Sequence, residues 1–292
     1  MAAIGEAPAF KPGTLFVVAT PIGNLEDITI RALRVLRDVA IIAAEDTRRT
    51  AHLLARHAIA TKTTSLHEHN ERTKSASLVA RLARGEDVAL VSDAGTPTVS
   101  DPGARLIRAA IDAGIRVEPI PGPSAILATL VASGLPADTF TFLGFPPVRA
   151  KDRKSWFERA TATPGTVVFF EAPHRLDDSL RTLRQLAGEC IVAVGREMTK
   201  IHEQLVRGPI SEVIGGSFPR VGEFTVVAII GLKPELGVSR RPGPHELLAE
   251  LGQIATDGRL TRRRAIAELS RRHGLSPNEV YAAIESAKKS GC

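Results

Sequence analysis

Aromatic and cysteine residues are scarce in this chain. Phenylalanine, tyrosine and tryptophan make up 4% of the 292 residues. The core is therefore expected to be aliphatic, and an aromatic platform for stacking single-stranded nucleic acid is not expected. Two cysteines, Cys190 and Cys292, are too few for a disulfide framework and fit a reducing, cytoplasmic environment.

Other absences narrow the function further. No apolar run reaches the length of a membrane span, and the first twelve residues have no signal-peptide pattern, so we expect residues 1–12 to be a flexible tail. No G-x-G-x-x-G motif follows a strand, which argues against a dinucleotide site. The segment His67-Glu-His-Asn-Glu71 lacks the H-E-x-x-H spacing, so no metal site is expected.

The positive charge is concentrated near the end of the chain. The net charge is +6, and the segment from Arg240 to Lys289 holds ten basic residues against six acids. This excess favours a polyanionic partner, nucleic acid before membrane, although a solvated helical tail is the simpler alternative. The RNA-binding candidates in this segment are Arg262, Arg263, Arg264, Arg271 and Arg272.

The order of predicted elements indicates an α/β protein of two domains with a helical extension. Residues 13–122 alternate strands and helices, which predicts a parallel sheet covered on both faces. In residues 123–232, adjacent strands without a helix between them predict a mixed or antiparallel sheet. Residues 233–244 are rich in Pro, Gly and charge and predict a linker, and residues 245–292 predict a basic helical extension resembling a helix-turn-helix.

Three apolar runs break abruptly into Gly, Pro and small polar residues. They lead into Thr20-Pro-Ile-Gly-Asn24, into Ser92-Asp-Ala-Gly-Thr-Pro97 and into Pro121-Gly-Pro-Ser124. In an open parallel sheet, ligands bind at the carboxyl ends of the strands. These loops therefore predict a nucleotide-like small molecule held mainly by main-chain groups.

Five motifs in fixed order resemble a known family. They are Thr20-Pro-Ile-Gly-Asn24, Ala44-Glu-Asp-Thr-Arg48, Leu90-Val-Ser-Asp-Ala-Gly-Thr-Pro97, Pro121-Gly-Pro-Ser124 and Arg196-Glu-Met-Thr-Lys200. Together they resemble the small-subunit ribosomal RNA methyltransferases of the tetrapyrrole (corrin/porphyrin) methylase superfamily, over about residues 13–231. The resemblance implies S-adenosylmethionine as cofactor, the ribose 2′-hydroxyl of a cytidine in the decoding region of 16S rRNA as acceptor, and a homodimer.

The cofactor-binding prediction combines the glycine-containing loops with this resemblance. Glycines allow close backbone approach, and the resemblance makes Asp93 a cofactor contact. Asp93 as a helix cap or loop brace, and Ser124 as a helix N-cap, are the simpler alternatives, and a capping Ser124 still allows ligand binding. The predicted cofactor-binding residues are Pro21, Gly23, Asp93, Ala94, Gly95, Thr96, Ser124, Ala125 and Phe170.

Charged residues at two further strand ends are candidates for contact with the acceptor. Arg48 and Arg49 either bind RNA phosphate or belong to a structural ion-pair cluster, and the sequence does not decide between these. Methyl transfer to a hydroxyl also needs alignment and a base. The candidate bases are Glu45, Asp46, His67, Glu171, His174 and Lys200, and we choose Glu171 and His174 as catalytic residues because they follow a strand.

The function predicted from the sequence is therefore S-adenosylmethionine-dependent 2′-O-methylation of 16S rRNA in the small ribosomal subunit. Two alternatives remain open at this point. One is a tetrapyrrole or other small-molecule methylase, which gives no reason for the basic extension. The other is a non-enzymatic RNA-binding assembly factor with a vestigial cofactor pocket, against which the small residues at Gly23, Gly95 and Gly122 argue weakly.

Overall fold

Five parallel strands form the first sheet of the computed structural model. The structure describes residues 11–216, 218–230, 244–256, 265–267, 269–270 and 275–290. The sheet order is β3-β2-β4-β1-β5, and every pairing in it is parallel. The strands are β1 (Thr14–Val18), β2 (Ile41–Ala44), β3 (Thr63–Ser65), β4 (Val88–Val91) and β5 (Arg116–Ile120).

Helices cover both faces of this sheet, as the sequence predicts. One apolar cluster joins the strands to the first two helices through Ala32, Leu36 and Leu53. The opposite cluster joins them to the next two helices through Leu82 and Leu106. The helices are α1 (Ile30–Asp38), α2 (Thr47–Arg56), α3 (Glu71–Ala83) and α4 (Ala104–Asp112).

Side chains at the helix starts fix the loops beside the sheet. The Asp46 carboxylate accepts a hydrogen bond from the Arg48 backbone amide at 2.8 Å and caps α2. The buried Glu71 carboxylate accepts from the amides of Gly103 and Arg105, at 3.0 and 2.8 Å, and so satisfies the start of α4. These bonds occupy amide groups that the helices themselves leave unpaired.

The second sheet is mixed, as predicted. Its order is β6-β7-β10-β8-β9, and only the β6–β7 pair is parallel. Its strands are β6 (Phe140–Phe142), β7 (Gly165–Glu171), β8 (Ile191–Arg196), β9 (Gln204–Pro209) and β10 (Phe224–Ile230). The helices of this half are α5 (Ala125–Ser133), α6 (Ala150–Thr161), α7 (Leu176–Ala187) and α8 (Ile210–Gly215).

The second sheet also has apolar clusters on both faces. Phe157, Leu180 and Val226 represent the larger cluster, which includes α6, α7 and α8. Leu130 of α5 packs with Val168 and Val227 on the other face. Strand β9 begins only at Gln204, because Glu197 and Thr199 have positive φ and turn the chain after β8.

The C-terminal residues form a compact unit of their own, separate from residues 1–233. Its helices α9 (Pro244–Thr256) and α10 (Pro277–Ser290) share a core with Ala265 and Leu269. A capping box is present at the start of α10, because the Ser276 amide donates to the Glu279 carboxylate and the Glu279 amide donates to the Ser276 hydroxyl. No helix among the described residues is long and apolar enough to cross a membrane.

Several sequence predictions fall on residues for which the structure gives no account. Most of the predicted tail and linker, residues 1–10 and 231–243, lies outside the described residues. The same holds for the basic candidates of the extension, Arg262, Arg263, Arg264, Arg271 and Arg272. The predicted domain boundaries therefore stay predictions.

Candidate active site

The carboxyl ends of β1 and β4 meet at the point where the chain changes sides of the first sheet. After β1 the chain continues into α1 on one face, and after β4 it continues into α4 on the other. Thr20 and Gly95 pair here through two backbone hydrogen bonds of 2.9 and 3.0 Å. Such a crossing point opens a crevice that binds ligands in open α/β sheets.

A small cavity of about 70 Å³ lies in this crevice. It is too small for a whole nucleoside-sized ligand, since ligand pockets measure roughly 300–1,000 Å³. It therefore accounts for only part of a ligand site at this edge. The lining residues are Thr20, Pro21, Leu25, Arg49, Thr50, Leu53, Ser92 and Asp93.

Asp93 stands at the centre of a bracing network. One carboxylate oxygen accepts from the Asp46 amide at 2.9 Å, and the other lies 3.4 Å from the Arg49 guanidinium. The Asp93 amide in turn donates to the Glu45 carboxylate at 3.3 Å. Asp93 thus braces the loop, as the simpler alternative predicts. The Asp93 side chain also remains partly exposed to the cavity.

Negative charge accumulates around Asp93. Burial raises the pKa of Glu45, and its carboxylate also feels the charges of Asp93 and Asp46. Burial, followed by repulsion from Glu45, raises the pKa of Asp101 to about 6. We name Glu45, Asp93 and Asp101 the acidic cluster. A cation placed beside it would stabilise the ionised carboxylates, because opposite charge favours the charged form.

The loop after β5 brings the start of α5 to the same edge. The Ser124 hydroxyl accepts a hydrogen bond from the Leu127 amide at 3.5 Å. Ser124 is therefore the N-cap of α5, which is the simpler alternative that the sequence predicts. A methyl group added at Gly95 would lie 3.9 Å from the Pro123 carbonyl oxygen, which places the two loops side by side. Ala94, Thr96 and Ala125 belong to these loops.

Gly23 has a structural reason for lacking a side chain. A Cβ there would come within 2.3 Å of the Lys200 side chain and 2.9 Å of the Thr199 hydroxyl. The Thr199 hydroxyl also accepts from the Asn24 amide at 3.1 Å. The first loop therefore packs against the turn after β8, so two of the five sequence motifs are in contact.

Phe170 comes to the site region from the second sheet. Its ring packs against Phe142 and Phe145, with centroids 5.0 and 5.2 Å apart. A Cβ at Gly144 would lie 3.8 Å from the Ser100 hydroxyl. This segment of the second half thus lies against the loop that carries Asp93 and Asp101.

Glu171 has a different environment from the acidic cluster. Its side chain is fully buried, and its two carboxylate oxygens each lie 3.0 Å from an arginine, Arg153 or Arg175. Ser179 donates a further hydrogen bond to it. A carboxylate so enclosed has no surface with which to touch a substrate, so the geometry favours a positioning role over that of a base.

His174 and the arginines of α2 are open to solvent. His174 lies in the short 3₁₀ turn Pro173–Arg175 and is exposed. Arg48 is 89% exposed and contacts Asp46 at 2.7 Å, and its hydrogen bond holds the pKa of Asp46 down at about 2. Arg49 lies nearer the cavity through its contact with Asp93.

Sequence reasoning missed Asp101 and the partners of Glu171. Asp101 stands in Ser100-Asp-Pro-Gly103, a turn pattern that attracts no functional prediction by itself. Its proximity to Glu45 depends on the pairing of β2 with β4. Arg153 and Ser179 lie on separate helices, and nothing in the spacing indicates that both contact Glu171.

Comparison with known proteins identifies the family. The profile of the Tetrapyrrole (Corrin/Porphyrin) Methylases matches residues 14–214. The chain belongs to this family. It is 51% identical over 228 residues to "Ribosomal RNA small subunit methyltransferase I" of Pseudomonas aeruginosa, covering 76% of this chain and 81% of that protein. It is 40% identical to the Escherichia coli O157:H7 protein of the same name, covering 92% and 93%.

A solved structure supports the same fold. It is the uroporphyrin-III C-methyltransferase of Thermus thermophilus complexed with S-adenyl homocysteine, with a TM-score of 0.52 and 18% identity. The match covers 74% of this chain and 97% of that one. As a tetrapyrrole methylase family member, this chain is a methyltransferase that uses S-adenosylmethionine.

The residues at the crevice fit this cofactor. S-adenosylmethionine carries a sulfonium cation and an amino group, and both are favoured by the negative potential of the acidic cluster. The adjacent start of α5 presents backbone amides suited to a carboxylate or hydroxyl group. The individual cofactor contacts remain predictions.

Proposed function

We propose that this chain transfers a methyl group to the ribose 2′-hydroxyl of a cytidine in the decoding region of 16S rRNA, within the small ribosomal subunit. The relatives carry the substrate assignment, since two small-subunit rRNA methyltransferases are 40–51% identical over most of the chain. The cytidine and its 2′-hydroxyl rest on the motif resemblance alone. The proposal places the protein in the cytoplasm with its substrate.

The chemistry at the site is an in-line displacement. A bond forms between the ribose oxygen and the methyl carbon as the carbon–sulfur bond breaks, and the hydroxyl proton passes to a base or to water. The bound cofactor supplies an activated methyl group, since its sulfur leaves as a neutral thioether. Much of the acceleration comes from holding oxygen, carbon and sulfur in line.

The protein residues divide this task between them. The acidic cluster orients the cation, and the loops that contain Gly95 and Ser124 shape the crevice. His174 is the candidate base, because it is exposed on the turn directly after β7. Glu171 positions that turn, because it holds Arg175 at 3.0 Å and accepts from the Ala172 amide at 2.8 Å.

Contacts outside the crevice complete the proposal. Arg48 and Arg49 lie at its rim and bind RNA phosphate, together with the arginines of the C-terminal extension.

A homodimer is also part of the proposal, and α5 leaves Leu127 and Val131, 51% and 73% exposed, as the surface for this contact. Light scattering on wild type and Leu127→Asp tests the dimer: loss of the dimer only in the variant supports this surface.

A labelling experiment tests the function directly. The protein is incubated with tritiated S-adenosylmethionine and 30S subunits from a strain that lacks the endogenous enzyme, and the rRNA is digested to nucleosides. Label in 2′-O-methylcytidine for wild type, and its loss for Asp93→Asn, is the expected result. Unlabelled 30S subunits despite measurable cofactor binding would reject the ribosomal substrate, and label in a supplied tetrapyrrole would favour the alternative methylase.

A further inference from the structure

One aromatic side chain remains open to solvent beside the crevice. Phe145 is 50% exposed and stands in the segment Leu143–Arg149 between β6 and α6. A single exposed apolar side chain is common on protein surfaces, so the case for Phe145 depends on its surroundings. Val148 of the same segment is 84% exposed.

The Phe145 ring is held in place from behind. It packs on Phe170 at 5.2 Å, and the Phe170 amide donates to the Gly144 carbonyl at 3.0 Å. On the other side, the Arg175 guanidinium donates to the Pro146 carbonyl at 3.2 Å. The backbone on both sides of Phe145 is thus fixed, so its exposed surface is a preformed platform with little ordering cost on binding.

The residue before Phe145 lies beside the loop that carries Asp101. Gly144 has a φ of +68°, and its position approaches the Ser100 hydroxyl, one residue from Asp101 of the acidic cluster. Phe145 follows Gly144 directly. A ligand that spans from the acidic cluster to the second sheet therefore passes this ring.

Positive charge follows the ring along the chain. Arg149, Lys151 and Lys154 are exposed, and Asp152 is the single acid among residues 149–154. An aromatic face next to a basic stretch is the combination with which proteins bind unstacked nucleotides, because the ring stacks on a base while the cations attract phosphates. An acidic ligand without a planar group would gain nothing from Phe145.

We propose that Phe145 stacks on the base of the nucleotide whose ribose is methylated, while Arg149 and Lys151 contact the neighbouring phosphates. This inference rests on the proposed RNA substrate. A nucleotide that enters the crevice leaves its stack, and an aromatic face replaces the stacking that it loses. One ring suffices for one base, so no extended aromatic platform is needed.

Steady-state kinetics with 30S subunits test the role of Phe145. Phe145→Ala should lower kcat/KM for 30S subunits roughly tenfold to a hundredfold, and Phe145→Trp should restore most of it. Val148→Ala is the matched control, because it removes an exposed apolar side chain from the same segment. Affinity for S-adenosylmethionine should stay within about twofold of wild type in all three variants, since stacking concerns the acceptor.

The tryptophan variant also reports stacking directly. The natural Trp156 is 8% exposed in the core and gives a constant background. In Phe145→Trp, a cytidine-containing oligoribonucleotide from the decoding region of 16S rRNA should quench the fluorescence of the added tryptophan. The fluorescence of wild type should not change.

Each other outcome is decisive. Full activity of Phe145→Ala on 30S subunits overturns the inference while the proposed function stands, and so does absence of quenching in Phe145→Trp at oligoribonucleotide concentrations at which the variant binds the oligoribonucleotide. Loss of S-adenosylmethionine binding in Phe145→Ala overturns it as well, because the ring would then belong to the cofactor site. Failure of wild type to label 30S subunits rejects the proposed function, and the inference falls with it.

Discussion

The two sheets each carry buried or half-buried acids near their strand ends, and the acids differ in how their charge is balanced. In the second sheet, Glu171 lies between two arginines and a serine and is fully buried. In the first, Glu45, Asp93 and Asp101 repel one another, and Arg49, which lies 3.4 Å from Asp93, is 65% exposed. Removing one partner from a balanced buried set is destabilising, whereas unbalanced negative charge attracts a ligand of opposite sign.

Replacing Glu171 should have the largest effect, and that effect should be on stability. Glu171→Gln leaves Arg153 and Arg175 without a negative partner, which costs about 3 kcal/mol for a buried pair. The melting temperature should fall by roughly 6 °C in a chain of this size. Differential scanning calorimetry measures it.

The ion pair of the exposed Glu223 with the partly buried Lys200 provides the control, because Lys200 keeps a second partner in Glu197. Glu223→Gln should change the melting temperature by less than about 2 °C, because exposed pairs contribute little. An equally small change for Glu171→Gln would show that its ion pairs do not hold the fold.

Replacing Asp93 should mainly weaken cofactor binding, whereas replacing Glu171 mainly lowers stability. Asp93→Asn removes one charge of the acidic cluster and should lower affinity for S-adenosylmethionine roughly tenfold to a hundredfold, as expected for hydrogen bonds to charged groups. Calorimetric titration at pH 7.5 measures it. Asp46→Asn is the control, since Asp46 already pairs with Arg48, and should stay within about threefold of wild type. Equal losses in both variants would contradict a specific role for Asp93.

The raised pKa of Asp101 predicts a pH dependence. Its folded-state pKa of about 6 exceeds the ordinary value, so the ionised form destabilises the fold. Stability should therefore rise as pH falls from about 6 towards 4, and Asp101→Asn should abolish that rise. Cofactor affinity should instead decrease as the pH falls. We expect a loss of about tenfold from pH 7 to pH 5, because the Asp101 carboxylate becomes neutral.

Urea unfolding and cofactor titration across this pH range separate the two effects. Asp101→Asn should flatten both profiles. A wild-type affinity that is independent of pH would show that the cofactor cation binds away from Asp101.

Arg48 should show the smallest effect. Arg48→Ala removes an exposed cation at the rim, so KM for 30S subunits should rise about threefold to tenfold while kcat changes little. Raising the salt concentration should narrow the difference between variant and wild type. A fall in kcat at constant KM would instead place Arg48 in the chemistry.

Periodicity and turn chemistry were sufficient to predict the fold. The alternating segments before residue 122 indicated a parallel sheet, and the adjacent strands around residues 191–207 indicated a mixed one, because these patterns depend on local spacing. The sequence also predicts that the three Gly- and Pro-containing loops lie at one edge, since parallel strands place all their carboxyl ends together.

The charge balance at the site was not predictable in the same way. Glu171 and Asp93 both follow apolar strands, and the sequence does not show that Arg153 and Ser179, on different helices, enclose only the first. Asp101 joins the acidic cluster through tertiary pairing. Phe145 escaped attention because composition counts aromatic residues without showing which of them remain exposed.

Proton release on cofactor binding tests the central claim most directly. Calorimetric titration with S-adenosylmethionine at pH 6, in two buffers of different ionisation enthalpy, measures the protons exchanged. If the acidic cluster binds the cation, the pKa of Asp101 falls and wild type releases a fraction of a proton that Asp101→Asn does not. Equal heats in both buffers, or proton uptake, would contradict the assignment of the cofactor to this crevice.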